Sequence, residues 1–292
     1  MRPSAWRPLP NHDVRNSKGR RILLRAITYL APGIPLRFFE LVTEYLAREL
    51  GCETTLDSEV SSSGPMQGDH DPFAAEEADI GFLCSPSFLY LRSRPTPSVD
   101  LVPAGFVFSD ERHGGAEAVY YSDVVVRADH AARCFDDLEG ATWGYNDECS
   151  LSGYFATLQR LGEIGCAGRC FRERFHTGSH AASIEAVLSG KIDAASIDST
   201  ALTLWRKDRP ELAAKLREVA SWGPFPVQPV VIRRGLSPEL RERIAATLLA
   251  LDCSRVTAAG LCEFGLERIV PIEENTYAEE RRQLCALGEI KH

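Results

Sequence analysis

The stretch "ATWGYNDECSLSGYFATLQRL" (residues 141–161) joins a short strand to an amphipathic helix through a turn rich in small hydroxyl residues. The letters ATWGY predict the strand, and apolar residues follow a helical period from Ser152 onward. Unpaired N–H groups at the helix start, with the hydroxyls of Ser150 and Ser152 and the small Gly153, suit a bound anion. An ordinary serine N-cap is the alternative, and it explains one serine rather than the pair. The predicted apolar face consists of Tyr154, Phe155, Leu158 and Leu161.

A second stretch, "HTGSHAASIEAVLSGKIDAASIDSTAL" (residues 176–202), again places small polar residues before a helix. His180 stands at the predicted helix start, where its ring can donate an N–H to an anion. A lone histidine serves more often in packing or at the surface, so this alternative stays open. The letters GKIDAASIDS predict a strand that ends at Asp198, and ligands of open α/β sheets collect outside such strand ends.

The rest of the chain alternates predicted strands and helices, which indicates an α/β fold. A chain of 292 residues has the length of two α/β lobes of roughly 100–150 residues each. We predict that the chain crosses between lobes near residues 119–126 and again near 224–231. The predicted division is a flexible arm (1–20), a first lobe (21–118 plus 225–292) and a second lobe (119–224).

Several local elements have clear sequence signals. A helix is predicted over Leu36–Leu50, ended by Gly51. Ser85 is predicted to cap another helix, with Pro86 at its first position. "LVPAGFVF" (residues 101–108) is predicted as one strand.

The charge balance argues against polyanionic partners. The formal net charge is −8, so neither nucleic acid nor an acidic membrane surface is expected to bind. No apolar run approaches the length of roughly 18 residues that spans a membrane. We expect a small solute as the binding partner.

The cysteines and the N-terminus both favour a reducing compartment. The nine cysteines are scattered, and the one close pair, Cys166 and Cys170, has no second pair at zinc-like spacing. We expect reduced thiols and no metal. The basic N-terminus lacks the apolar core of a signal peptide, so the chain as given is expected in the cytoplasm, or in the periplasm if a leader is missing.

Four segments in this order resemble the substrate-binding proteins of phosphate, phosphite and phosphonate ABC transporters. They are "ADIGFLCSPSFLYL", "YYSDVVVRADHAARCFDDLEGATWGYNDECSLSGYF", "HTGSHAASIEAVLSGKIDAASIDS" and "WGPFPVQPVVIRRGLSPELRERIAATLLAL". The resemblance implies a two-lobed, type II periplasmic binding protein fold with the ligand in the cleft between the lobes. It implies hinge closure on the ligand, no cofactor, a monomer and an ABC permease as a possible partner.

The resemblance also implies which residues bind the ligand. The serine-rich helix start of the family holds the oxyanion, and the family's histidine and strand-end aspartate have matches here. The helix start in the first lobe, at Ser85 and Ser87, matches a further ligand-binding position of the family. An aromatic residue where the chain crosses between the lobes matches another, and it is either Tyr120 or Tyr121. The implied residues are Ser150, Ser152, Gly153, Tyr154, His180, Asp198, Ser85, Ser87 and Tyr120.

Two positions depart from the family pattern. Leu151 interrupts what is usually a run of three hydroxyl residues, and Gln228 stands where the family often has an acid. Glutamine offers a neutral donor and a neutral acceptor instead of a carboxylate. This argues against an aminoalkylphosphonate ligand, and Gln228 joins the candidate ligand-binding residues.

Three function classes remain open from the sequence. The leading one is a binding protein that captures a small oxyanion, such as a phosphonate or phosphite, without covalent chemistry. The alternative is a cytosolic enzyme or sensor on the same fold, in which His176, His180, Cys149 and Asp198 supply reactive groups. A domain that only binds another protein is the third. Asp147 and Glu148 would repel an anion unless they are turned outward. They either argue against a highly charged ligand or are simply solvated loop acids.

Overall fold

The computed structural model describes five ranges of the chain, and the predicted arm over residues 1–20 lies outside them. None of the helices in these ranges is both long and apolar enough to cross a membrane. The described ranges are 21–31, 33–115, 117–166, 170–251 and 259–290.

Strands and helices alternate along most of the described chain. The strands are β1 (Leu23–Thr28), β2 (Glu53–Ser58), β3 (Ile80–Phe82), β4 (Val99–Leu101), β5 (Gly105–Phe108), β6 (Val119–Arg127), β7 (Thr142–Tyr145), β8 (Glu173–His176), β9 (Ala194–Asp198), β10 (Leu216–Pro226), β11 (Val230–Arg233) and β12 (Leu266–Val270). The helices are α1 (Leu36–Leu50), α2 (Ser85–Ser93), α3 (Ala156–Glu163), α4 (His180–Leu188), α5 (Ser199–Asp208), α6 (Pro210–Ala213), α7 (Pro238–Leu249), α8 (Ala259–Cys262) and α9 (Ala278–Leu287).

The first sheet has the strand order β2-β1-β3-β11-β4. Its strands β1, β2 and β3 run parallel, and β11 pairs antiparallel with β3 and β4. Helix α1 buries Phe38, Phe39 and Leu46 in the core around this sheet. The three parallel strands end at one edge, so the loops that follow them leave the sheet on the same side.

The second sheet has the order β10-β6-β9-β7-β8. Strands β7, β8 and β9 run parallel, and β6 is antiparallel to β9. Along β6, Val124 and Val126 join one hydrophobic cluster while Val125 joins another, because successive side chains of a strand point to opposite faces. This sheet is therefore covered on both faces, as a lobe with its own core requires.

Two long strands connect the sheets. The chain enters the second sheet through β6 and leaves through β10, and these strands pair from Arg127 and Leu216 to Val119 and Pro226. The strands of the first sheet come from the predicted first lobe, and those of the second sheet come from the predicted second lobe, except for the end of β10. The lobe boundaries themselves stay a prediction, and the second one, at residues 224–225, falls inside β10.

Two local predictions differ from the structure. The predicted strand over residues 101–108 is divided into β4 and β5, and β5 pairs with β12 instead of joining the first sheet. Pro103 lies at the break, and proline has no N–H for a strand ladder. The N-cap of α2 is Cys84 rather than Ser85, with Pro86 inside the first turn. The helix over Leu36–Leu50 and its end at Gly51 are confirmed.

One expectation about the cysteines is wrong. Cys166 and Cys170 form a disulfide whose Cα atoms lie 5.7 Å apart. A spacing of four residues at a helix end brings the two thiols within bonding geometry. The free cysteines among the described residues are Cys52, Cys84, Cys134, Cys149, Cys262 and Cys285.

Helix α9 carries a carboxyl group inside the protein. The Glu280 side chain is 2% exposed. Burial raises its pKa to about 8, and the nearby Ser85 hydroxyl offsets only part of that rise. Glu280 therefore keeps its proton in the folded state at neutral pH.

This proton makes the stability depend on pH. In an unfolded chain Glu280 loses its proton at a pKa of about 4.3, so the folded protein binds more protons between about pH 5 and pH 8. The free energy of unfolding therefore falls as pH rises through that window. We expect Glu280→Gln to flatten this slope, measured by urea unfolding at several pH values. Glu279→Gln, on the exposed neighbour, is the control, and an unchanged slope in Glu280→Gln would contradict the assignment.

Candidate functional site

The loops that leave the two sheets meet around a small cavity of about 50 Å³. A single water needs roughly 10–15 Å³ on this measure, so the cavity has room for a solute of only a few heavy atoms. Both lobes contribute to its wall, which places the cavity in the cleft between them. The polar wall includes Tyr29, Ser62, Ser63, Cys84 and Gln228 from the first lobe, and Asn146, Asp147, Ser150, Ser152, Ser179, His180 and Asp198 from the second.

Four helices begin at the cavity. Cys84 is the N-cap of α2, Ser179 of α4 and Asp198 of α5, and all three residues line the cavity. Ser150 caps the fourth helix, which opens with a π-helical turn over Leu151–Phe155 and continues as α3. Helix N-termini present N–H groups and a partial positive charge, so their convergence favours a negative solute.

Both serines of the serine turn, residues 150–155, line the cavity. Ser150 Oγ accepts the N–H of Gly153 at 3.1 Å, which leaves its own hydroxyl hydrogen free to donate. Ser152 Oγ lies 3.4 Å from His180 Nε2. Ser150 is therefore an ordinary N-cap, and the same residue lines the cavity where we predicted the anion.

Gly153 has a different role from the one the sequence suggested. A Cβ atom at this position would lie 1.7 Å from Asn146 Oδ1. Asn146, and not a ligand, is therefore the group that comes so close to Gly153 that no side chain fits there. Asn146 in turn donates its side-chain N–H to Asp147 Oδ2 at 2.6 Å, so Gly153 serves the internal packing of the turn.

Asp147 is not the solvated loop acid that we expected, because it is 5% exposed. Its Oδ1 accepts the backbone N–H of Cys149 at 2.8 Å, and its Oδ2 accepts the Ser63 hydroxyl at 2.6 Å. The N–H of Ser63 also donates to Oδ1 at 3.2 Å. Burial raises the pKa of Asp147, while the bonds from Ser63 lower it. Ser63 belongs to the predicted first lobe, so these bonds cross the cleft.

Asp198 and Gln228 form a second contact across the cleft. Gln228 donates its side-chain N–H to Asp198 Oδ2, and Asp198 Oδ1 accepts the N–H of Ala201 at 3.0 Å. Burial raises the pKa of Asp198 to about 6, although these bonds act in the opposite direction. Gln228 Oε1 is buried and has no hydrogen-bond partner among the described residues.

His180 is neutral in this site. Burial lowers its pKa to about 4, because the charged imidazolium is poorly solvated there. Its Nδ1 is also buried without a partner in the described part of the chain. Among the described residues that line the cavity there is no lysine or arginine. Helix starts, hydroxyl groups and N–H groups are therefore the groups of the described wall that can bind a negative solute.

Four predicted site residues lie away from the cavity. Ser87 donates its hydroxyl to the backbone oxygen of Pro65 at 2.7 Å inside the first lobe. Ser85 and Tyr120 are 1% exposed and lie near Glu280, and Tyr120 also lies near Cys84 and Asp198 of the cavity wall. The Tyr154 ring packs against Tyr145, with ring centroids 5.1 Å apart. The hydroxyl oxygens of Ser85 and Tyr120 are buried and have no hydrogen-bond partner among the described residues.

Apart from Gln228, sequence reasoning missed the first-lobe residues of the wall. Tyr29 follows β1, Cys84 follows β3, and Ser63 lies in the loop after β2. The strand-end rule that selected Asp198 applies equally to these positions and was not applied to them. Cys84 also connects the lobes, since its Sγ accepts the N–H of Leu151 at 3.3 Å, and burial raises its pKa well above the ordinary value.

Solved structures share this architecture. A binding protein component of an ABC phosphonate transporter from Pseudomonas aeruginosa is 15% identical, with a TM-score of 0.76 over 89% of this chain and 85% of that chain. PhnD1 from Prochlorococcus marinus in complex with methylphosphonate is 16% identical, with a TM-score of 0.74 over 92% and 99%. A Xanthomonas citri protein bound to ATP is 17% identical, with a TM-score of 0.68 over 92% and 97%. These likenesses confirm the predicted two-lobed, type II periplasmic binding protein fold.

A sequence profile matches the larger part of the chain. The profile describes the periplasmic substrate-binding protein of phosphonate ABC transporters, and it matches residues 36–277. Such proteins bind a solute without converting it, so the enzyme alternative is not favoured. The predicted resemblance is confirmed: the chain belongs to the family of periplasmic substrate-binding proteins of phosphonate ABC transporters.

Proposed function

We propose that the protein captures a small phosphorus oxyanion of the phosphonate or phosphite class in the cavity between its lobes. The observation that carries this proposal is a cavity between the lobes at which four helices begin, with hydroxyl groups in its wall and no lysine or arginine among the described lining residues. We propose Ser150, Ser152 and His180 as oxyanion donors, with Asp198 and Gln228 completing the wall.

The size of the cavity supports a small ligand. At about 50 Å³ it fits a central atom with a few oxygens, which is the size of methylphosphonate, the ligand in the Prochlorococcus marinus protein. A phosphonate with a short substituent is therefore the best match.

The family membership supports delivery to a transporter. We propose that the protein works in the periplasm as a monomer and passes its ligand to an ABC permease. The expectation of a cytoplasmic protein has no support from a family of periplasmic proteins. The disulfide between Cys166 and Cys170 also fits an oxidising compartment.

The serine turn gives the direct test of the binding site. We expect Ser150→Ala and Ser152→Ala each to weaken methylphosphonate binding by about 10- to 100-fold, because each removes a hydrogen bond to a charged group. Isothermal titration calorimetry measures the change. Ser87→Ala is the matched control, since Ser87 is a buried serine of the first lobe that bonds only to Pro65. Unchanged affinity in both serine-turn variants would contradict the proposed site.

The contact between Ser63 and Asp147 tests closure. Ser63→Ala removes the hydroxyl bond to the Asp147 carboxylate, so we expect a smaller closed fraction and about 10-fold weaker binding. Small-angle scattering with and without methylphosphonate measures the closed fraction. Ser61→Ala, on a nearby exposed residue outside the cavity wall, is the control. A Ser63→Ala variant that closes and binds like the parent protein would contradict the role of this contact.

A further inference from the structure

We propose that Ser122 is a positioning residue of the oxyanion site, which fastens the serine turn to the strand where the chain crosses between the lobes. Its hydroxyl acts through the backbone of Ser152, and Ser122 is not among the described residues that line the cavity. A second hydroxyl, on Ser196, supports the next residue of the turn. This inference rests on the proposed function, because it concerns how the same site keeps the geometry that binds an oxyanion.

The first support is the bond between Ser122 and the serine turn. Ser122 Oγ donates to the backbone oxygen of Ser152 at 2.6 Å. Ser122 is 0% exposed and Ser152 is 2% exposed, so water does not compete for this bond. A carbonyl that loses its donor in such a place costs free energy, because solvent does not replace the donor. The bond therefore resists movement of Ser152, which is one of the proposed oxyanion donors.

The second support is a parallel bond from the neighbouring strand. Ser196 Oγ donates to the backbone oxygen of Gly153 at 3.3 Å, and it lies 3.0 Å from Thr157 Oγ1. A serine hydroxyl carries one proton, so Thr157 must be the donor to Ser196. Strands β6 and β9 pair with each other. Buried hydroxyls from two adjacent strands therefore hold two successive carbonyls of the serine turn.

The backbone of the serine turn gives these bonds a purpose. The turn is π-helical over Leu151–Phe155, so its N–H groups reach five residues back. The N–H of Phe155 bonds to Ser150 O at 3.1 Å, and the N–H of Ala156 bonds to Leu151 O. Such wide turns are rare, and they occur frequently at functional sites. The two hydroxyl donors stabilise the wide turn, and with it the spacing of the two serines that line the cavity.

Strand β6 is a well-anchored support for the bond from Ser122. One residue earlier, the N–H of Tyr121 donates to Ser199 Oγ at 3.0 Å, at the start of α5. One residue later, the Asp123 carboxylate accepts a bond from Arg112 of the predicted first lobe at 2.7 Å. Three successive residues of the crossing strand thus contact the serine turn, the start of α5 and the first lobe.

Removal of the two hydroxyls tests their role in binding. We expect Ser122→Ala to weaken methylphosphonate binding by about 10-fold, because Ser152 loses the bond that holds it in place. Ser196→Ala should weaken binding by a smaller factor, since its bond to Gly153 is longer. Isothermal titration calorimetry measures both changes. Ser196→Ala also applies the test at the second bond if Ser122→Ala does not fold.

A double-mutant cycle separates positioning from general damage. If Ser122 acts through Ser152, then adding Ser122→Ala to Ser152→Ala should weaken binding by no more than about 3-fold further. Independent effects would multiply, and the double variant would then show the full product of the two single losses. A loss of stability alone does not produce the smaller, coupled effect.

Thr142→Val is the matched control in the same sheet. Thr142 is buried, and its Oγ1 donates to Asp193 Oδ2 at 2.7 Å. It begins β7, at the end of that strand away from the serine turn. We expect this variant to lower the melting temperature and to leave the affinity for methylphosphonate unchanged. A thermal melt of every variant records stability separately from affinity.

The outcomes distinguish this inference from the proposed function. Unchanged affinity in Ser122→Ala, while Ser152→Ala still weakens binding, would overturn the inference and leave oxyanion capture intact. So would a double variant that shows the full product of the single losses, or a Thr142→Val variant that weakens binding as much as Ser122→Ala. Unchanged affinity in both Ser150→Ala and Ser152→Ala would contradict the proposed site itself.

Discussion

The bonds between Ser63 and the Asp147 carboxylate fasten the two lobes together, and the shape of the site depends on them. Asp147 accepts two bonds from Ser63 of the first lobe and one from Cys149 within its own turn. The same carboxylate therefore closes the cleft and fixes the chain just before the serine turn. Two further contacts, Gln228 with Asp198 and Leu151 with Cys84, also join the lobes where their helix starts meet at the cavity.

The closed cavity stabilises negative charge with dipoles and hydroxyls. A lysine or arginine would bind any anion of suitable size, because a full positive charge is attracted whatever the ligand's hydrogen positions. Oriented N–H and O–H groups instead impose geometry on the ligand. Selectivity can then come from which ligand oxygens meet a donor, not from charge alone.

The second-lobe half of the site was predictable because its signals are local. Ser150, Ser152, His180 and Asp198 each stand at a strand-to-helix transition, where strand-end and N-cap rules apply directly. Gln228 was found through the family pattern, at a position that the return crossing brings beside Asp198. The α/β class and helix α1 followed from the same hydrophobic periodicity.

The rest of the site could not be predicted locally, because it depends on contacts between residues far apart in the sequence. Asp147 looked like a solvated acid because its partner, Ser63, lies 84 residues away. Ser85 and Tyr120 matched family positions, yet both lie near Glu280, on a C-terminal helix that no local pattern connects to them, and Tyr120 also lies near Cys84 and Asp198. The sequence correctly indicated that another group comes close to the backbone at Gly153. Only the fold shows that this group is the Asn146 side chain.

A crystal structure of the protein grown with methylphosphonate tests the central claim most directly. The account predicts the phosphonate in the cleft, with its oxygens about 2.5–3.2 Å from Ser150 Oγ and Ser152 Oγ, and with no lysine or arginine in contact with it. A ligand held outside the cleft, or one neutralised by a cationic side chain, would contradict the account.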